Sequence, residues 1–136
     1  MGHRFRGGDY DLAGYESWLW ADAVTATPDP AVAHPGMAFM LSLLGARSTV
    51  ADILELLGAA TDSGVMFGEC ALELHAPIPA AGVVHAEGEV VAVERKRGRW
   101  AGLFDLATFE HRLTEADGAP LVTMTHSWVF PREEDA

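Results

Sequence analysis

The stretch T-P-D-P-A-V-A-H-P-G-M, residues 27–37, sets Asp29 and His34 five residues apart among three prolines. These two side chains can share acid–base work, because a carboxylate can hold a water while an imidazole cycles a proton near neutral pH. The same pair also serves as punctuation. An aspartate between prolines commonly caps a turn or a helix, and a histidine at a helix entrance commonly satisfies backbone groups. Gly36 and Met37 come next, at the start of an apolar helix, where free N–H groups and the helix dipole suit a developing oxyanion. Glycine also lets a ligand approach closely.

Several elements must position these residues. Residues 36–45 carry one polar side chain, Ser42, so their helix is enclosed on most sides, with Gly45 as its stop. Before it, Tyr15, Trp18 and Leu19 have helical spacing within residues 9–26. That spacing predicts a short amphipathic helix, broken at Thr27-Pro28-Asp29-Pro30. After it, Ser48 or Thr49 caps a second helix lined by Val50, Ile53, Leu56 and Leu57, ending at Gly58. From residue 65 the period changes to two. Met66, Cys70, Leu72 and Leu74 share a face of the first strand, and Val84, Ala86, Val90 and Ala92 share one of the second. Residues 101–114 are apolar on both faces and hence central. Val122, Met124, His126, Trp128 and Phe130 form one face of the last strand, entered through an Asp117-Gly118 hairpin. Four long antiparallel strands with one apolar face need a cover, and the enclosed helix is the natural one. The expected class is α+β, a single domain over 1–136 with residues 1–8 frayed and 132–136 a charged tail.

Composition bounds the function. The chain of 136 residues is 49% hydrophobic and 21% charged, which is globular. Its longest apolar run, Met37 to Leu44, is too short to span a bilayer, and no apolar targeting segment opens the chain. The single cysteine, Cys70, makes a reducing cytoplasm the simplest home. A net charge of −11 disfavours nucleic acid. Arg95, Lys96, Arg97 and Arg99 nevertheless cluster, either as a solvated hairpin tip or as an anchor for a phosphorylated ligand. His75, His85 and His111 lack zinc-site spacing, so no metal and no resident cofactor is expected. His126 reads as a hydrogen-bonded core histidine or as one facing a ligand pocket. Trp18, Trp20, Trp100 and Trp128 read as core or interface.

The order of elements resembles the hot-dog fold, an antiparallel sheet wrapped around a central helix, and three stretches resemble its MaoC-like dehydratase and (R)-specific enoyl-CoA hydratase branch. They are Ala33-His34-Pro35-Gly36-Met37-Ala38, the run from Phe67 to Gly82, and the run from Gly88 to Arg99. The resemblance implies hydration of enoyl thioesters, or the reverse dehydration of 3-hydroxyacyl thioesters, carried on coenzyme A or an acyl carrier protein. In that branch the catalytic pair lies in an Asp-x-Asn-x-x-His motif. Asp29 and His34 have its spacing, with Ala31 in place of the asparagine and no further loop before the helix opening. Two registers stay open: Asp29 and His34 are the dyad, or His34 belongs to the helix opening and the dyad is absent. Gly36 and Met37 are the thioester oxygen donors in either. The second register implies a non-catalytic thioester-binding or partner subunit. A hot-dog thioesterase using Asp29 or Glu69 is the third reading. The resemblance also implies a homodimer or larger homo-oligomer, with sheets joined edge to edge.

Overall fold

The computed structural model describes residues 3–5, 7–45, 50–58, 64–99 and 102–132. In chain order these form β1 (Gly8–Leu12), α1 (Gly14–Ala23), α2 (Met37–Gly45), α3 (Val50–Leu56), β2 (Met66–Leu74), β3 (Gly82–Gly98), β4 (Gly102–Glu115) and β5 (Pro120–Pro131). The strands make one antiparallel sheet in the order β1-β3-β4-β5-β2. Its concave face closes on α2. Met37, Ala38 and Leu41 pack with Leu12, Val84, Leu113, Val122 and Met124, while Leu43 of α2 and Ile53 of α3 pack with Phe109, Trp128 and Phe130.

Burial follows the expected alternation most closely in the central strands. The whole predicted face of β5 is buried, and Thr123, Thr125 and Ser127 occupy the other side. Ser42 is accommodated inside the apolar helix because its hydroxyl donates to the Ala38 carbonyl at 2.6 Å. Gly45 does more than stop α2: a Cβ there would meet the Ala86 Cβ at 2.6 Å, so helix and sheet approach where no side chain fits. At the Asp117-Gly118 hairpin, Gly118 adopts φ 93° and the Asp117 carboxylate accepts the Ala119 N–H at 3.0 Å.

Several expectations are corrected. The sheet has a fifth strand, β1, in the stretch read as frayed end and helix start. The segment before it is also stitched down, with Phe5 N–H donating to the Gly88 carbonyl and Val90 N–H to that of His3. In α1 the face is reversed: Ser17 and Ala21 are buried while Tyr15, Trp18 and Leu19 are exposed. Ser17 turns inward because its hydroxyl has a buried acceptor, the Ala80 carbonyl at 2.6 Å. In α3, Ile53 and Leu54 are buried and Val50 and Leu56 are exposed; Ser48 and Thr49 lie outside the described residues.

Two bulges explain the remaining slips, since one extra residue moves every later side chain to the other face. Between Phe67 and Cys70 the β2 register shifts, so Phe67, opposite Trp128, shares the inner face with Cys70, Leu72 and Leu74, and Met66 does not. Between Val90 and Ala92 a second shift makes Val93, opposite buried Ala107, the inward residue in place of Ala92.

Candidate functional site

Residues 24–36 connect α1 to α2 as a loop sewn to the segment before β3. Ala33 N–H donates to the Ile78 carbonyl at 2.7 Å and Ala80 N–H to the Ala31 carbonyl at 3.1 Å. Asp29 is exposed, and its Oδ1 accepts the Ala31 N–H at 2.8 Å, a closed local turn. His34 is half-buried at the entrance to α2. Its Nδ1 accepts the Gly36 N–H at 3.0 Å, so the neutral ring carries its proton on Nε2. Nε2 makes no hydrogen bond to the described residues.

Asp29 and His34 are thus brought to one loop but share no hydrogen bond or ion pair. Gly36 and Met37 do stand at the helix start, yet their N–H groups are engaged. That of Gly36 goes to His34 Nδ1 and that of Met37 to the His34 carbonyl at 3.0 Å. The oxyanion site read from the sequence is therefore capped by the histidine that precedes it. Beside it lies a residue not singled out for chemistry. The Trp20 indole nitrogen is buried without a hydrogen-bond partner among the described residues.

The basic cluster stands at the exposed end of the β3–β4 hairpin, although the strand runs further into it than the sequence suggests. Arg95, Lys96 and Arg97 lie within β3, which runs on to Gly98. Arg95 grips Asp105 with both ends of its guanidinium, at 2.8 and 3.1 Å, and Arg132 Nε reaches the same carboxylate at 2.9 Å. The Arg95 pairing, supported by Arg132, holds the Asp105 carboxyl down to about 2. Arg132 also donates to the Leu57 carbonyl, tying α3 to the sheet. Lys96 pairs with Glu94 at 3.5 Å, and Arg97 and Arg99 are likewise engaged. Arg95 is eleven residues beyond Val84, about 35 Å along a strand, so within one chain this cluster is not brought to the helix entrance.

A second histidine site lies in the core. The Trp128 indole N–H donates to His126 Nδ1 at 2.7 Å, and His126 Nε2 meets His111 Nδ1 at 2.9 Å. Because the indole can only donate, the neutral tautomers run in one direction, from Trp128 through His126 to His111. His111 Nε2 ends the chain without a partner among the described residues. Both rings are essentially inaccessible, at 0% and 1% exposure. Burial, then the neighbouring His126 and Arg112, pushes His111 down to about 3, and burial pushes His126 down to about 4. Phe109 and Phe67 stack on His126, and Phe5 stacks flat on His111. The signal for this pair was available: Phe109 faces His126 across the β4–β5 ladder, which sets His111 diagonally beside it. Among the described residues, no three His, Cys, Asp or Glu side chains come together as a metal site, and no single helix is long and apolar enough to cross a membrane.

Over residues 1–124 the chain matches the family described as FAS1-like, dehydratase domain region. It belongs to that family. Solved structures agree on the fold. A C-terminally truncated HadBC (3R-hydroxyacyl-ACP dehydratase) complex from Mycobacterium tuberculosis superposes with TM-score 0.72 at 15% identity, covering 94% of this chain and 95% of that one. A MaoC-like dehydratase superposes with TM-score 0.71 at 18% identity over 99% of this chain and 43% of that one. The (R)-hydratase from A. caviae involved in PHA biosynthesis gives 0.58 at 20%, over 96% of each. No curated protein matches the sequence. This member of the FAS1-like dehydratase region therefore has the hot-dog fold of MaoC-like dehydratases and hydratases, α+β with the sheet around α2.

Proposed function

We propose that the protein is a hydratase or dehydratase acting on an acyl thioester, with the chemistry at the entrance to α2. The observation that carries this reading is His34. Its Nδ1 is held by the Gly36 N–H while Nε2 stays free of the described chain, so one imidazole is both oriented and able to exchange a proton. In hydration, water attacks the β-carbon of an enoyl thioester as a base removes its proton, and a proton is delivered to the α-carbon. His34 is the residue placed to carry that proton. Asp29, bonded among the described residues through Oδ1 alone, has its second oxygen to hold the water. The carrier is coenzyme A or an acyl carrier protein.

Oligomers fit the same reading. β2 is hydrogen-bonded on one side, to β5, and Met66, Phe67, Leu72 and Leu74 are exposed along it. A long apolar edge of this kind calls for a partner. A second reading, a thioester-binding subunit without its own chemistry, is favoured by one observation: Asp29 closes a turn with Ala31 and does not touch His34.

One assay separates the readings. Crotonyl-CoA and longer enoyl-CoAs are offered, following enoyl absorbance and free thiol together. Loss of absorbance without thiol is the expected result. Thiol release marks a thioesterase, and binding without either change marks the non-catalytic subunit.

A further inference from the structure

The histidine chain in the core has no place left for a proton. A neutral imidazole carries one acceptor nitrogen, and both acceptors are in use. His126 Nδ1 takes the Trp128 indole N–H, and His111 Nδ1 takes the N–H of His126 Nε2. A proton added to either ring would set two donors against each other, so uptake requires that a ring turn away. His126 is held by Phe109, Phe67 and Phe39. His111 is the end of the chain, and its Nε2 has no partner among the described residues. On one side the Gly88 backbone presses on the His111 ring from the β3–β4 ladder, where a Cβ would lie 2.5 Å from it. On another lies Phe5, stacked on His111 at 5.6 Å and 8° and on Phe109 at 6.0 Å. Phe5 belongs to a short arm. Its N–H donates to the Gly88 carbonyl at 2.8 Å, and Val90 N–H donates to the His3 carbonyl at 2.7 Å. Arg4 meets Glu89 at 3.9 Å, but Arg4 is exposed and such a pair adds little. Gly7, at φ 65°, turns the chain between this arm and β1. Two backbone hydrogen bonds and one half-buried ring hold the arm, whereas β3, β4 and β5 are each paired on both sides. The arm is therefore the cover of His111 that opens most easily.

We propose that residues 3–5 form an acid-released strap. Lifting Phe5 lets His111 turn from His126, meet water and take a proton, and it uncovers the face of Phe109 that Phe5 now covers. In the closed form burial, then His126 and Arg112, holds His111 down to about 3. In the open form the ring stands in water and titrates near its ordinary value. The open form therefore binds the proton first. At pH 7 and above opening gains nothing from protons. As pH falls below about 6.5 the open population rises, by up to about tenfold per pH unit. The charged groups around the ring come from each element packed on it. Glu87 and Glu89 of β3 and Glu110 and Arg112 of β4 are paired with one another on the opposite face of the sheet. β5 presents His126, and α2 carries no ionisable side chain. The arm itself brings Arg4 and His3, whose ring meets Phe5 edge-on at 5.6 Å.

Amide hydrogen exchange on the full chain tests the strap, because the Phe5 and Val90 N–H groups are the two that fasten it. Their protection factors are expected to stay level from pH 8 to 7 and then to fall about tenfold per pH unit between pH 6 and 5. Amides of the β4–β5 ladder should stay better protected at each of these values. His111→Phe keeps a ring beneath Phe5 and removes the titrating group, so the fall should vanish. His3→Gln removes the arm's own imidazole and should leave the fall in place. Strap protection that ignores pH, or that equals the ladder's at every pH, overturns the proposal. So does a fall that survives His111→Phe or disappears with His3→Gln. If His111→Phe does not fold, the wild-type chain and His3→Gln decide. The one-proton slope must then appear in both, and its absence from either overturns the strap.

Discussion

The molecule holds histidine in two settings, and the contrast shows how burial sorts one side chain into opposite roles. His34 stands half-buried in a loop, takes one backbone N–H and keeps Nε2 free of hydrogen bonds to the described residues. His111 and His126 lie under the sheet's aromatic rings, bonded to each other and to Trp128, and burial pushes both well below the ordinary histidine range. A ring that stays neutral down to about pH 4 or 3 is poorly matched to exchanging protons at pH 7. It is a directional hydrogen-bonding element inside the core. Each setting also leaves one buried N–H without a partner among the described residues, Trp20 Nε1 at the entrance and His111 Nε2 in the core. Their surroundings separate them. The first lies against Gly36, where a Cβ would stand 3.2 Å from Nε1. The second is packed under Phe5 and over Gly88, where even a Cβ would lie 2.6 Å from Nε2.

The largest expected effect breaks the entrance. His34→Ala removes the proton carrier, and turnover of enoyl-CoA is expected to fall by about 10²- to 10⁴-fold while the thermal midpoint moves by only a few degrees. Full turnover in this variant removes His34 from the chemistry. The mirror experiment breaks the core. His126→Ala leaves a cavity beneath Phe39, Phe67 and Phe109 and strips the Trp128 indole and His111 of their shared partner. A loss of about 3 kcal/mol in urea unfolding follows from the cavity and the unpaired groups. A loss below about 1 kcal/mol shows that the hydrogen-bonded chain is not a structural element.

How these two sites were foreseen differs in an instructive way. The last strand was legible because β5 alternates strictly, so period alone sets its face, whereas β4 read as apolar on both sides and only its two neighbours show which side is buried. Edges and bulges were not. Gly8–Leu12 is short, and only its pairing with β3 makes it a strand. Phe67 and Val93 take the inner face through backbone irregularities that carry no side-chain pattern. At the proposed site, the Asp29–His34 spacing marked the loop that precedes α2, and Gly36 marked the helix start. Spacing could not show that His34 turns back onto Gly36, or that Trp20 comes from another helix to meet them. Likewise Arg95 looked free until β4 placed Asp105 opposite it.

A milder perturbation, acid, should separate the two settings without any mutation. In the unfolded chain His111 and His126 take protons near their ordinary value, whereas the folded chain refuses them until about pH 3 and 4. Their folded values are lowered, so their neutral burial costs no stability above about pH 6.5. As pH falls below that, the unfolded state binds protons first and stability declines until the folded values are reached. Asp105 adds a second decline lower down, from its ordinary 3.8 toward about 2. His85, raised chiefly by its hydrogen bond to Asp9, acts in the opposite sense on an exposed edge. Urea midpoints at pH 7, 5.5 and 4.5 should therefore fall in order. A His111→Phe/His126→Leu variant should flatten that slope. A slope unchanged in the double variant would place the acid sensitivity elsewhere.

The smallest effect falls on Asp29, where structure and chemistry can be separated in one substitution. Asn retains an Oδ1 acceptor for the Ala31 N–H, so Asp29→Asn keeps the turn, and stability should stay within about 0.5 kcal/mol of wild type. What the change removes is the charge and basicity of the second oxygen. If that oxygen holds the attacking water for His34, turnover should drop about tenfold or more with the melting curve unmoved. If the carboxylate only closes the loop, turnover and melting both stay in place. The proton chemistry would then rest on His34 without a carboxylate from this loop. Because the fold is spared in either case, the turnover number alone decides whether this loop holds a catalytic pair or one histidine behind a turn.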